Sequence, residues 1–368
     1  MTVNKNFNAI TNCSPINQTV RTSSFSNFVQ IVQWLTVIAD LLSVFGCALI
    51  LYIIIYKIQR KSPTFFLIAN LASTFLIFSC TSLESQVATL LLYDYQYKKP
   101  DLIILTVHCC LSRSLLALCY TTSMVLLLIT CYERYRAIIY PTKTNLSRKR
   151  RRRTFIIAWL VSAIITSPQL FLITVHPFYP YYCELRSDYK LFYSFYYPFL
   201  AITCYFIPDL ILICCYVRLI VRLNSIVQVV GSLSIPPAGQ YEKRKRQVIK
   251  MLTATTLAST LLSVLWAIVL FLLGYCEGNV YMTFNSFPHF VVFYTMAQLF
   301  YGMTPLANVI LWFHYNDELN HQMNQLFQSM VKICTLPTEN RVAPVLVQSS
   351  LVTRSSNNND PFTPLHEL

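Results

Sequence analysis

Apolar and polar positions alternate in long blocks along this chain. Seven apolar blocks each exceed the length of about 20 residues that an α-helix needs to cross about 30 Å of hydrocarbon. They cover residues 34–56, 63–92, 102–131, 155–175, 193–217, 250–274 and 287–313. The pattern predicts an all-α membrane protein with a seven-transmembrane helix bundle over residues 34–315.

The polar stretches around these spans predict the remaining organisation. Residues 1–33 lack a basic start followed by a short apolar core, so we expect no removable signal peptide. They are predicted to form an N-terminal tail, which the charge distribution described below places outside the cell. Residues 224–241 contain Gly and Pro and are predicted to form an irregular cytoplasmic loop. Residues 335–368 are rich in Ser, Thr, Asn and Pro, which is typical of a disordered cytoplasmic tail.

A short amphipathic eighth helix is predicted over residues 316–334. Apolar side chains recur there every three to four residues, so the helix should lie on the inner membrane surface. The apolar positions are Leu319, Met323, Leu326, Phe327 and Met330. Cys334 follows them and is a candidate for palmitoylation.

Composition and charge support a membrane protein and set its orientation. The chain is 55% hydrophobic and 12% charged, whereas an average soluble domain is about 25% charged. The three odd-numbered connections hold 19 Lys and Arg residues, against 6 in the N-terminal tail and the even-numbered connections. Basic loops stay in the cytoplasm, so the N-terminus is predicted to be extracellular and the chain a multi-pass plasma-membrane protein.

Two further features agree with this orientation. Asn12 and Asn17 begin glycosylation sequons in the tail that is predicted to be extracellular. The basic clusters border membrane spans, so the net charge of +14 favours anionic lipid and an acidic cytosolic partner over nucleic acid.

Marker residues recur in a fixed order along the spans. The triplet Glu133-Arg134-Tyr135 ends span three, where an ionised Arg, which costs about 3 kcal/mol near a membrane centre, needs a paired or functional role. Cys109 precedes Arg134 by 25 residues. The other markers are Cys183, Trp159 and Pro168, Pro208 and Tyr216, and the segment from Asn308 to Trp312 followed by Asn316 and Asp317. Together they resemble the rhodopsin-like (class A) G-protein-coupled receptors over roughly residues 30–335.

The resemblance implies how the cytoplasmic end would work. At rest, Arg134 would pair with Glu133 and cap the bundle, and on activation it would contact a heterotrimeric G protein. Coupling and activation are therefore assigned to Glu133, Arg134, Tyr135, Tyr216, Asn308 and Trp312. The tail, with its Ser and Thr residues, is a candidate contact for arrestin and a receptor kinase.

The resemblance also implies a disulfide between Cys109 and Cys183. This bond would close a loop of about 75 residues and stabilise the fold by roughly 4 kcal/mol. Cys110 is the alternative partner for Cys183. Cys13 and Cys276 are candidates for a second bridge, which the sequence leaves open.

Several positions depart from the family pattern. Phe75 stands where the family has Asp in span two, and Cys47 replaces the usual Asn of span one. Span six has no Pro, and Trp266 lies about three residues beyond the family's usual Trp position. Without that proline kink, the deformable segment is predicted to lie in span seven. It comprises Gly302, Thr304 and Pro305.

A ligand site is predicted at the extracellular end. Residues on the inward face of span three, together with Glu84 and residues of span seven, would line it. They are Arg113, Leu116, Ala117, Tyr120, Tyr294, Gln298 and Tyr301. Arg113 either binds a ligand carboxylate or amide, or pairs with Glu84, and the sequence favours neither. Asp40 in span one needs a partner that the sequence does not identify.

The predicted ligand is a neuropeptide. Leu116 replaces the Asp with which amine receptors bind an ammonium group, and the second extracellular loop is rich in Tyr. A divergent invertebrate chemosensory receptor for a small odorant-like molecule is the alternative, and a seven-span transporter or channel is a remote one.

Other chemistries are disfavoured. The region from Met251 to Val331 has no Lys to bind retinal. His108, His176 and His289 are far apart in sequence and are predicted to be surface histidines rather than metal ligands. We therefore expect no cofactor, no metal and no enzymatic activity.

Overall fold

The computed structural model describes residues 23–58, 63–94, 102–139, 148–175, 183–232, 239–275 and 288–335. Within these ranges, seven helices are long and apolar enough to cross a membrane. They cover Asn27–Lys57, Thr64–Leu90, Ile103–Glu133, Arg152–Leu172, Leu191–Leu219, Gln247–Tyr275 and Phe290–Tyr315. The predicted seven-helix bundle is confirmed.

Each span is helical because a helix satisfies its backbone N–H and C=O groups internally, which hydrocarbon requires. Buried hydroxyls are satisfied in the same way: Thr36 donates to the Val32 carbonyl and Ser43 to that of Ala39. The helices are Ser23–Tyr52 with a π turn at Ile53–Lys57 (span one), Pro63–Asp94 (two), Leu102–Ile139 (three), Arg148–Thr166 and Gln169–Leu172 (four), Lys190–Ala201 and Ile207–Ser232 (five), Gly239–Tyr275 (six) and Pro288–Tyr315 (seven).

Prolines explain the interruptions in spans four and five. Pro168 follows the end of helix Arg148–Thr166, because the residue before a proline disfavours helical angles. Pro208 has no N–H to donate back along span five, and the chain there widens into a π-helical turn over Ile202–Phe206.

The predicted end of span four is wrong. Residues 173–175 were expected to continue the helix, but they form strand β1, Ile173–Val175. β1 pairs antiparallel with β2, Cys183–Leu185, so that Val175 lies opposite Cys183. β-branched residues after the Pro168 break favour this extended chain. The hairpin is a small addition to an otherwise helical fold.

Three other boundaries differ from prediction. The first helix begins at Ser23, inside the predicted tail 1–33. The predicted irregular loop 224–241 is helical up to Ser232 and again from Gly239, because long helices tolerate an isolated Gly.

The eighth helix covers Asp317–Thr335. Asn316 caps its start, with the Asn316 side-chain oxygen accepting from the Leu319 N–H at 3.3 Å. The bundle unit ends at Met323, and residues 324–335 belong to a second unit.

The bundle core lies where spans two, three, five, six and seven meet. Span seven packs against spans one, two and six, and span three packs against spans two, four and five. Glycine permits the closest approach of spans one and seven, since a Cβ at Gly46 would lie 2.6 Å from Val309 Cγ1.

Some predicted features lie outside the described residues. They are the sequons at Asn12 and Asn17, the second bridge between Cys13 and Cys276, and the tail from residue 336 onward.

Candidate functional site

The bundle has two ends with different construction. We call the end that carries Cys109 and Cys183 the disulfide end, and the end that carries Glu133, Arg134 and Tyr135 the triplet end. Spans alternate in direction, so both ends are built from all seven spans. The candidate ligand residues lie toward the first end and the candidate coupling residues toward the second.

At the disulfide end, a covalent bond joins span three to the hairpin. Cys109 and Cys183 form a disulfide with a Cα–Cα distance of 5.6 Å. Cys110, the alternative partner, is a free thiol that donates to the Ile173 carbonyl at 3.0 Å. Cys109 also packs with Ile173 and Val175 of β1. The hairpin is therefore fixed over the first turns of span three.

Span five holds the other side of the hairpin region. The Tyr193 hydroxyl lies within hydrogen-bond distance of two backbone carbonyls, 3.1 Å from that of Leu172 and 2.6 Å from that of Arg186. Tyr193 is 1% exposed. One buried phenol thus ties span five to the segments on both sides of the hairpin.

Glu84 and His108 connect spans two and three at this end. Their side chains form a hydrogen-bonded ion pair if the imidazole is protonated. His108 was predicted to be a surface histidine; the structure leaves it partly exposed and adds this contact with Glu84. Of the two roles left open for Arg113, no ion pair with Glu84 is seen among the described residues, and ligand binding stays a prediction.

Arg113 instead lies among tyrosines. Its charge interacts with the Tyr197 and Tyr301 hydroxyl groups. Within the described residues, its guanidinium forms no ion pair. Leu116, Ala117 and Arg113 are each half-buried on span three. A guanidinium group in this position can donate hydrogen bonds to an anionic or carbonyl oxygen of a ligand.

Below Arg113, six aromatic side chains form a central aromatic cluster. Tyr120 stacks on Tyr205 with ring centroids 4.7 Å apart and contacts Tyr301 at 4.9 Å. Tyr301 in turn stacks on Trp266 at 5.1 Å. The cluster consists of Phe78, Tyr120, Tyr205, Trp266, Tyr294 and Tyr301. It brings the predicted residues Tyr120, Tyr294 and Tyr301 together; Gln298 is half-buried on the same helix.

At the triplet end, single hydrogen bonds join the spans. Thr256 of span six donates to the Tyr216 hydroxyl of span five at 3.3 Å. Asn308 of span seven donates to the Ser259 hydroxyl of span six at 3.0 Å and to the Thr304 carbonyl at 2.8 Å. Tyr216 and Asn308 are both buried. The partners Thr256 and Ser259 were not predicted, since lone hydroxyls in an apolar span give no sequence signal.

The departures at positions 47 and 75 are packing substitutions. The Phe75 ring contacts Trp312 with centroids 6.0 Å apart, and Trp312 is 1% exposed. Cys47 is fully buried on span one. Apolar contact between spans two and seven therefore occupies the region where the family pattern places polar side chains.

The triplet itself continues the span-three helix, which ends at Ile139. Glu133 and Tyr135 are half-buried there. The Arg134 backbone is helical, and its side chain lies outside what the structure describes.

Comparison with known proteins places these features in a family. A sequence profile described as 7 transmembrane receptor (rhodopsin family) matches residues 46–314. Neuropeptide receptor 22 of Caenorhabditis elegans is 23% identical over 286 residues, which are 74% of this chain and 64% of that protein. The gonadotropin-releasing hormone II receptor of Clarias gariepinus is 29% identical over 104 residues, 27% of each chain. The chain thus matches less than two thirds of the length of either relative.

Proposed function

The chain belongs to the rhodopsin family of seven-transmembrane receptors, and we propose that it is a G-protein-coupled receptor activated by an extracellular neuropeptide. The family consists of receptors rather than enzymes. With its seven apolar helices, this member is a multi-pass protein of the plasma membrane. Its orientation in the proposal follows the basic connections, with the N-terminus and the disulfide end outside.

The observation that carries the proposal is the triplet end. Glu133, Arg134 and Tyr135 stand at the end of span three, and the same end is closed by Tyr216 with Thr256 and by Asn308 with Ser259. An Arg at the end of a span, in a bundle whose neighbouring spans are joined by contacts that can separate, suits recognition by a helix of a G protein. At rest Arg134 pairs with Glu133, and it contacts the G protein once the spans part.

The ligand class follows from the other end. Arg113 lies near tyrosines and has no acidic partner in the described residues. Leu116 has no carboxylate with which to bind the ammonium group of an amine ligand. One relative is named a neuropeptide receptor. A peptide that presents a carboxylate or backbone carbonyl to Arg113 and aromatic side chains to the tyrosines fits this chemistry.

Activation is a population shift between a closed and an open triplet end. Converting a 1:99 mixture into 99:1 requires about 5.5 kcal/mol of differential ligand affinity. Hydrogen bonds such as that of Tyr216 contribute about 0.5–1.5 kcal/mol each. The ligand must therefore bind the open state more tightly than the closed one by about 5.5 kcal/mol, whatever its absolute affinity.

A second-messenger screen in cells tests the proposal. The full-length receptor is challenged with neuropeptide and odorant libraries, and each hit is repeated on Arg134→Ala. We expect peptide hits whose G-protein response is lost in Arg134→Ala while surface ligand binding persists. Arg136→Ala, which removes a nearby cation, is the matched control and should respond normally. Hits from odorants alone, or ion flux without added G protein, would replace this proposal.

The contact with Arg113 is tested on the same hits. Truncating one partner of a buried charge pair costs about 2 kcal/mol or more, or roughly 30-fold in affinity. Arg113→Gln should therefore lower peptide potency by about 30-fold or more. Arg186→Gln, an exposed cation at the same end, should leave potency unchanged. Equal potency on wild type and Arg113→Gln would remove Arg113 from the ligand site.

Other parts of the proposal concern the C-terminal region. The eighth helix would lie on the inner membrane surface, anchored through a palmitoylated Cys334. The tail beyond it would recruit arrestin and a receptor kinase, and Asn12 and Asn17 would carry glycans. Each of these stays a prediction.

A further inference from the structure

Asp40 is a carboxyl group buried inside span one. Its side chain is 0% exposed, and it lies well within the membrane-spanning segment Asn27–Lys57. Neither carboxyl oxygen accepts a hydrogen bond from the described residues. Nothing in the proposed ligand site or coupling end uses this group.

The carboxyl group faces spans two and seven. A Cβ built at Gly302 would lie 4.0 Å from Asp40 Oδ1 and 3.3 Å from Thr36 Cγ2. The Ser82 hydroxyl of span two lies beside the same group and is its candidate hydrogen-bond partner from that span. The carboxyl group thus packs against the backbone of span seven at Gly302, which has no side chain to separate them.

A second intramembrane carboxyl shows what a satisfied one looks like. Asp209 of span five is partly exposed and accepts a hydrogen bond from the Thr260 hydroxyl at 2.8 Å. Asp40 is fully buried, and the Thr36 and Ser43 hydroxyls of its own helix donate to the Val32 and Ala39 carbonyls instead. The two carboxyl groups therefore differ both in solvent exposure and in whether a hydroxyl group donates to them.

An ionised Asp40 would be inconsistent with these surroundings. A buried carboxylate needs a cation or several hydrogen-bond donors, and without them the group becomes neutral. No Lys, Arg or His among the described residues forms an ion pair with Asp40. A neutral carboxyl is a hydrogen-bond donor and requires an acceptor.

Span seven provides an acceptor at this level. Pro305 lies inside helix Pro288–Tyr315, and its missing N–H leaves the Tyr301 carbonyl without its usual helical donor. Tyr301 precedes Gly302 directly, so the released carbonyl belongs to the segment against which Asp40 packs. The Thr304 hydroxyl in the same turn is also buried and without a partner in the described residues.

We propose that Asp40 is a proton-binding site in the membrane core, whose bound proton is donated to the span-seven backbone at the carbonyl that Pro305 leaves free. The bond tethers span one to the segment Gly302–Pro305. Under the proposed receptor function, this is the segment expected to deform on activation, so the tether would set how easily span seven moves there.

Infrared spectroscopy of the purified full-length protein in lipid nanodiscs tests the site directly. A protonated carboxyl gives a C=O stretching band that is separate from those of carboxylates and amides and that shifts in D₂O. We expect such a band at neutral pH, lost in Asp40→Asn and retained in Asp209→Asn. Absence of the band from the wild type, or its persistence in Asp40→Asn, would overturn the proposal.

Two milder variants test the acceptor without removing the acid. Pro305→Ala restores an N–H to the Tyr301 carbonyl, which should weaken the Asp40 bond and move its band to higher frequency. Gly302→Ala inserts a methyl group between the helices and should move it in the same direction. If both variants leave the frequency unchanged, span seven is not the acceptor. The measurement needs no ligand or G protein, so its failure leaves the proposed receptor function intact.

Discussion

The disulfide end and the triplet end of the bundle are held together by different bonds. At the disulfide end, the Cys109–Cys183 bond joins span three to the hairpin, and the Tyr193 hydroxyl of span five bonds to the backbone on both sides of the hairpin. At the triplet end, the Tyr216 and Asn308 hydrogen bonds connect spans five, six and seven. One end contains a covalent cross-link, whereas the hydrogen bonds named at the other end contribute about 1 kcal/mol each. We therefore expect the triplet end to move more easily than the disulfide end.

This construction suits a receptor whose ligand end keeps its shape while the coupling end opens. The central aromatic cluster lies between the two ends and packs spans two, three, five, six and seven together. Close-packed rings transmit a displacement rather than absorb it. Substitutions at the two ends can test this difference in rigidity.

The largest effect is expected from breaking the disulfide. Cys109→Ala should destabilise the receptor by about 4 kcal/mol, because the bond closes a long loop. The unfolding temperature of the purified protein and the amount of ligand bound at the cell surface should both fall sharply. Cys110→Ala removes a neighbouring free thiol and serves as the control. Similar unfolding temperatures for the two variants would mean that the disulfide does not define a rigid end.

A glycine contact should give the next largest effect. A Cβ at Gly274 would lie 2.5 Å from Pro198 Cδ, whereas one at Gly46 would meet the Val309 side chain at 2.6 Å. The proline ring cannot rotate away, so Gly274→Ala should cost about 1–3 kcal/mol. Gly46→Ala should cost less, because Val309 can change rotamer or shift. Unfolding temperatures of the two variants measure the difference; the reverse order would contradict it.

Removing the Asn308 side chain should loosen the triplet end. Asn308→Ala deletes the hydrogen bond to Ser259, and a loss of about 1 kcal/mol shifts a conformational equilibrium about fivefold. Basal second-messenger output per receptor at the surface should rise severalfold. Thr166→Val, which removes a buried hydroxyl bonded only within span four, is the control. An unchanged basal output for Asn308→Ala would show that this contact does not restrain opening.

The smallest effect is expected at Tyr216. Tyr216→Phe removes one hydroxyl that accepts from Thr256 at 3.3 Å, a long bond worth less than about 1 kcal/mol. Basal second-messenger output should rise by no more than about twofold to threefold. Thr256→Val should raise the basal output by the same factor. A double variant no different from either single one would show that the two changes act through one bond.

Several features could be predicted from the chain alone because they are local. The seven spans follow from runs of apolar residues, and the eighth helix from apolar spacing between Leu319 and Met330. The boundaries were less accurate: the first helix begins at Ser23, and the last residues of predicted span four form β1. Helix starts and the choice between helix and strand near Pro168 depend on neighbouring segments.

Which side chains meet across the bundle was decided by the tertiary structure. The sequence did not decide whether Glu84 pairs with Arg113. In the structure, Glu84 contacts His108. The sequence indicated that Asp40 needs a partner but not that Asp40 packs against Gly302. Sequence periodicity fixes which residues share a face of one helix. The rotation and tilt of each helix against its neighbours depend on packing between distant segments, and these determine every contact between spans.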